Sequence, residues 1–263
     1  MSASFTVTAP VMGTMASLTV VGASRRDGDV GAAIAACVER LRDDERVFST
    51  YRDDSDICRL RDQGLELGSV DPRVAEVAAR CRDLRERSDG RFDAHWRGWF
   101  DPTGYVKGWS VDAAAAAFDA VLSTGAIEAV GVNVGGDMRL RTAPASAHVW
   151  RVGIAHPTHT GELLATVEVV DGAVATSGTA ERGAHLVDPR TGEHLAGPVS
   201  ATIVADDLAT ADAWATVAAI AGIDDLEWMP AAPVASGIVW EHGRARRFAG
   251  GVEVSAYREA MTG

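Results

Sequence analysis

Residues 129–141 run Ala129-Val130-Gly131-Val132-Asn133-Val134-Gly135-Gly136-Asp137-Met138-Arg139-Leu140-Arg141. Ala129–Val134 reads as an apolar strand. Gly135-Gly136 interrupts it, and Asp137–Arg141 reads as a second strand. Two glycines between short strands make a bulge or a hairpin turn, or else allow a planar or phosphorylated ligand to approach the backbone, with Asn133 and Asp137 as polar fixers.

Working outward, strands are predicted at Val149–Ala155, Leu164–Val169, Ala173–Ala175, Thr202–Ala205, Gly237–Glu241, Ala245–Phe248 and Val252–Ser255, with a tight turn at His242-Gly243. A helix is predicted from about Leu208 to Ile220 and a short one over Asp224–Trp228. On the amino-terminal side, Phe5–Thr8 and Met15–Val21 read as strands around a turn-like Ala9-Pro10 and Gly13. Val30, Ile34, Cys37, Val38 and Leu41 recur at helical spacing, predicting a helix that ends near Val47. Asp71-Pro72 is a helix start, because Asp caps free N–H groups and proline fits the first turn. A third helix is expected from about Ser110 to Leu122, with Val111, Ala115, Phe118 and Leu122 on its buried side. Helices and strands mix without a regular strand–helix repeat. That predicts an α+β protein with a mixed or antiparallel sheet core and packed helices. No linker or repeat interrupts residues 1–263, so one compact domain is expected, its helical first part and sheet-rich second part forming at most two closely packed lobes.

The chain has 263 residues, 47% apolar and 24% charged, enough for a large core without disulfide or zinc staples. Lys plus Arg is 25 against 37 acidic residues, a net charge of −12. Such a field repels nucleic acid and anionic lipid over most of the surface, which argues against both as main partners. Cys37, Cys58 and Cys81 are odd in number and form no CxxC pair, so buried free thiols are expected. No apolar run approaches the ~20 residues of a membrane span, and Met1–Met15 does not read as a leader. A cytoplasmic protein is the expectation.

Several segments carry candidate chemistry. Lys107 lies in Asp101–Gly108, read as a glycine-rich loop ending at a helix start, where a lysine either contacts a pyrophosphate or flavin or is simply solvated. Thr176-Ser177-Gly178 is followed closely by His185 and by Asp188-Pro189-Arg190-Thr191-Gly192. An imidazole there can take a proton from a hydroxyl, whereas Asp188–Gly192 also fits a plain surface turn. Ser177, His185 and Asp188 lack the nucleophile-elbow context of a hydrolase triad. Asp212 and Thr216, four apart on a helix, emerge on one face. Either they offer oxygen ligands to Mg²⁺, or Thr216 bonds its own helix backbone and Asp212 pairs with an arginine.

Taken together, the motifs resemble the ApbE family of FAD:protein FMN transferases. Met12-Gly13-Thr14 is similar to the family's opening MGT, Asp89-Gly90-Arg91-Phe92-Asp93 to its DGxFD, and DPTGYVKGWSVD at 101–112 to its DLGGIAKGYAVD signature. Phe48–Leu60, VNVGGD at 132–137, ATSG at 175–178, Glu181-Arg182, HLVDPRTG at 185–192 and ADAWAT at 211–216 follow in family order. Thr103, Val106 and Ala180 depart from the usual residues. The resemblance implies an ApbE-like, T-fold-like architecture. It implies a Mg²⁺ held by Asp212, Thr216 and the Val106 carbonyl. It also implies FAD contacts at Met12, Lys107, Asp112, Gly135, Gly136, Asp137, Thr176, Ser177 and His185, and a general base at His185 oriented by Asp188 or a nearby carboxylate. The activity implied is Mg-dependent transfer of FMN from FAD to a Thr or Ser hydroxyl of an acceptor protein, releasing AMP. FAD pyrophosphatase activity and non-catalytic flavin binding are the alternatives.

Overall fold

Tight hairpins set the register of a nine-stranded antiparallel sheet. The computed structural model describes residues 2–179 and 186–250, and residues 252–258 as strand backbone. β1 (Ser4–Val11) and β2 (Thr14–Val21) are joined by Met12 and Gly13, both at positive φ (49° and 69°), with Val11 opposite Thr14. Such a two-residue turn matches the right-handed twist of the strands it joins. Pro10 therefore lies inside β1, opposite Met15, and not in the expected turn. An edge strand tolerates it because the outer side of the ladder needs no donor there. β3 (Ala129–Val134) and β4 (Asp137–Thr142) repeat the device: Gly135 and Gly136 take φ 62° and 99°, and Gly136 N–H donates to Asn133 Oδ1 at 3.0 Å.

β5 (Trp150–Ala155) and β6 (Leu163–Val169) pair only with each other. The main sheet resumes at β7 (Gly172–Gly178), which pairs with β4, and continues through β8 (Val199–Ala205), β9 (Ser236–Glu241), β10 (Arg244–Ala249) and β11 (Val252–Arg258). The expected strands are all present, most with longer bounds.

Six α-helices are described: α1 (Gly28–Phe48), α2 (Asp56–Gln63), α3 (Pro72–Arg87), α4 (Thr103–Ala115), α5 (Asp119–Ser123) and α6 (Leu208–Ala221). Asp27 caps α1, Ser55 caps α2 and Asp71 caps α3, each accepting from backbone N–H groups of the first turn. α4 begins at Thr103, well before the expected Ser110, and a 3₁₀ turn, Ala116–Phe118, leads from it towards Leu122. The expected helix over Asp224–Trp228 is replaced by turns and a 3₁₀ segment at Met229–Ala231.

Side-chain alternation splits the sheet into two faces. Ala16, Leu18, Val20, Val130, Val132, Val134, Ala173, Ala175, Ala201 and Ile203 share one core with α1, α4 and α6. On the other face Leu140 and Val174 meet Val152 and Val169 of the β5–β6 hairpin. Among the described residues no helix is long and apolar enough to cross a membrane.

Candidate functional site

The register gathers one end of the sheet into a rim. Ala16 lies opposite Val134, so the Met12-Gly13 and Gly135-Gly136 turns are neighbours. Asp137 starts β4 at this end, and Thr176–Gly178 finish β7 beside it. Thr176 N–H donates to Asp137 Oδ1 at 3.0 Å, which anchors the carboxylate to β7.

Behind the rim stand α4 and α6. Lys107 lies inside α4, correcting the expectation of a loop lysine before a helix. The glycines around it serve packing: a Cβ on Gly104 would meet the Phe92 ring at 3.0 Å, and one on Gly108 would meet Leu208 O at 2.5 Å. α4 thereby touches the start of α6 and carries Lys107 to two aspartates. The Lys107 ammonium pairs with Asp137 and lies 3.4 Å from Asp212 Oδ1. Asp212 is 4% exposed, and its Oδ2 is buried without a hydrogen-bond partner. Burial raises the Asp212 pKa, and the Asp137 charge adds to this; Lys107 opposes it. One turn further, Thr216 Oγ1 lies 3.0 Å from Ser177 Oγ. The partners thus differ from both plain expectations, since Asp212 pairs with a lysine and Thr216 with a serine of β7.

Asp112, Thr176 and Asp188 have further partners of their own. Asp112 caps α6, accepting from Leu208 N–H at 2.9 Å and Ala209 N–H at 2.8 Å. Burial pushes its pKa up to about 6 against the pull of those two donors. The Thr176 hydroxyl points to the opposite sheet face, 2.8 Å from Thr202 Oγ1, so only its N–H serves the rim. Asp188 sits in a turn closed by Gly192 N–H to its own carbonyl, and Arg190 forks onto its carboxylate and holds it below the usual range. His185 lies outside the described residues, as do Ala180, Glu181 and Arg182. Val106 is buried in α4, one residue before Lys107.

Sequence reasoning missed three partnerships: Lys107 with Asp137, Ser177 with Thr216, and Asp112 with the start of α6. Each joins elements distant in the chain, and no local pattern signals it. Among the described residues no group of three or more His, Cys, Asp or Glu is placed to hold a metal. A cavity of about 90 Å³, lined by Ile154, Val167, Thr202, Ile238 and Phe248, lies on the hairpin side, away from Lys107.

The fold, a large antiparallel sheet with helices packed on one face and a hairpin on the other, is shared with solved structures. The chain superposes on the flavin transferase ApbE from Vibrio cholerae with TM-score 0.75 at 20% identity, covering 95% of this chain and 97% of that one. For the ApbE protein of Thermotoga maritima the TM-score is 0.74 at 21% identity, covering 98% and 97%. The sequence matches the ApbE family over residues 12–100 and 97–235, so the chain belongs to that family. It is 34% identical over 133 residues to a protein of Rhodobacter capsulatus named FAD:protein FMN transferase, and 33% identical over 128 residues to one of that name from Vibrio cholerae. Those matches cover 48% and 45% of this chain but only 24% and 37% of the two relatives.

Proposed function

We propose that this protein transfers the FMN moiety of FAD to a Thr or Ser hydroxyl of an acceptor protein, releasing AMP. The names of its relatives support the activity class. The observation that carries the reading is Asp212, a buried carboxylate whose second oxygen has no partner, one helical turn from the Thr216 hydroxyl. A hard divalent ion such as Mg²⁺ takes oxygen ligands and keeps positions for phosphate, so this donor set fits it. Asp212 and Thr216 would hold the ion, with the Val106 carbonyl as third ligand. Bound there, it would withdraw charge from the phosphoryl oxygens and stabilise the leaving phosphate.

The remaining steps belong to the chain. Lys107 offers its ammonium to the pyrophosphate, Met12 packs its side chain against the flavin, and the Gly135-Gly136 turn borders it with no side-chain bulk. The acceptor hydroxyl loses its proton to His185 as its oxygen bonds to the FMN phosphorus. The phosphorus–oxygen bond to AMP breaks, and AMP leaves. Asp188 or another carboxylate orients the imidazole.

The test is incubation with FAD, Mg²⁺ and an acceptor protein carrying a hydroxyl-bearing flavinylation segment. An FMN mass adduct on that acceptor, lost with Asp212→Asn, is the expected result. Free FMN and AMP without an adduct would make the protein a pyrophosphatase. Retained FAD without AMP would make it a flavin carrier.

A further inference from the structure

We propose that Lys107 is the internal counter-ion of Asp137 and Asp212 and competes with a divalent cation for Asp212. The inference rests on the reading that Asp212 and Thr216 hold such a cation, and it adds what regulates that binding. Two buried carboxylates, Asp137 at 2% exposure and Asp212 at 4%, face one ammonium. Unpaired charges at such burial are costly, so the ammonium stabilises the two carboxylates. A cation bound at Asp212 has to share that ground with Nζ, and like charges a few ångströms apart in a poorly hydrated cleft repel strongly.

The two ion pairs are unequal in a way that permits release. Asp137 is fixed at the sheet rim by the Thr176 N–H, and it holds the closer contact to Lys107. Asp212 Oδ1 lies 3.4 Å from Nζ, and its Oδ2 is buried without a hydrogen-bond partner. Lys107 can therefore leave Asp212 while keeping Asp137. Its side chain is 23% exposed, and a flexible four-carbon arm carries its charge. An ammonium displaced from one carboxylate is free to meet an anion, so cation binding and diphosphate binding assist each other by linkage.

Titration of the flavin-free protein with Mn²⁺ at pH 8, followed by the loss of the free-ion EPR signal, tests this directly. Lys107→Met should tighten Mn²⁺ binding about tenfold, and Lys107→Arg, which keeps the charge, should leave it near wild type. Asp212→Asn should abolish binding in every background. Thermal melts establish that each variant is folded, and Lys107→Gln replaces the Met variant should that one melt early. Equal Mn²⁺ affinity in wild type and Lys107→Met, with binding still dependent on Asp212, overturns the counter-ion role and leaves the cation site standing. Equal tightening by Met and Arg overturns it too, because shape and not charge would then be responsible. Mn²⁺ binding that is absent throughout, or that survives Asp212→Asn, overturns the cation site and the counter-ion role together.

Discussion

Gly108 of α4 lies directly against the backbone of Leu208 at the start of α6. A Cβ there would sit 2.5 Å from the Leu208 carbonyl oxygen and 2.8 Å from Ala209 Cα. Two effects oppose each other on replacing it. Alanine in a helix interior gains about 1 kcal/mol over glycine. Overpacking against rigid backbone costs about 1–3 kcal/mol or more, because neither helix can yield locally. The clash should win, leaving Gly108→Ala about 1–2 kcal/mol less stable by urea midpoint. Since α4 carries Lys107, flavin binding should weaken as well. A variant as stable as wild type would mean that the helices part without cost.

Asp112 makes stability depend on pH. Burial raises its pKa to about 6, whereas an unfolded Asp titrates near about 3.9. The folded state therefore binds the proton more tightly. Stability from this group is greatest below about pH 4, declines as pH rises through about 6, and is constant beyond. Asp112→Asn removes the titration but retains one oxygen acceptor for the N–H groups of α6. The stability difference between variant and wild type should shift in the variant's favour by about 2 kcal/mol from pH 4 to pH 7. Urea melts at the two pH values read it, and a shift of the opposite sign would show that the helix amides outweigh burial.

Local pattern revealed what is local. The Asp71-Pro72 helix start, the hairpin glycines and the shared face of Asp212 and Thr216 all follow from spacing a few residues apart. Asp101-Pro102 carries the same helix-start signal as Asp71-Pro72. Asp101 Oδ1 accepts from Thr103 N–H at 3.1 Å and from Thr103 Oγ1 at 2.7 Å. Gly104 and Gly108 mask that signal by suggesting a loop, and α4, buried on several sides, lacks an amphipathic stripe. Those glycines answer to close packing against Phe92 and Leu208, a cause that lies in other elements. The same holds for the site. Lys107 and Asp212 were readable as candidates, but that they share Asp137 as neighbour depends on how β4 meets α4 and α6.

The cysteines give a direct check on the helical layer. Cys37 and Cys81 are free and buried in α1 and α3, and burial pushes both thiols up to about 12. Only the thiolate reacts with iodoacetamide, and at pH 8 its fraction at these positions is on the order of 10⁻⁴. Neither residue should be labelled in the native protein over minutes, while both should be labelled in 8 M urea (about the usual unfolding concentration). Rapid native labelling of Cys37 or Cys81 would show that the layer opens far more readily than its packing implies.

Ser177 and Thr216 allow a ligand to be separated from its support. Their hydroxyls lie 3.0 Å apart, joining the end of β7 to α6 one turn beyond Asp212. If Thr216 binds the cation through its hydroxyl, Ser177 fixes the orientation of that oxygen. Partners of this kind are worth about 10- to 100-fold in affinity or activity. Ser177→Ala should thus lower turnover by about tenfold and raise the Mg²⁺ concentration needed for half-maximal rate. Thr216→Val, close to Thr in shape but without the hydroxyl, should lose more, at least about 100-fold. The stability loss should stay near 1 kcal/mol in each case, since one neutral hydrogen bond is at stake. The order of the two effects is the decisive reading. If Ser177→Ala is the more damaging variant and the Mg²⁺ requirement is unchanged in both, the pair is a structural bond between sheet and helix, and Thr216 is no ligand.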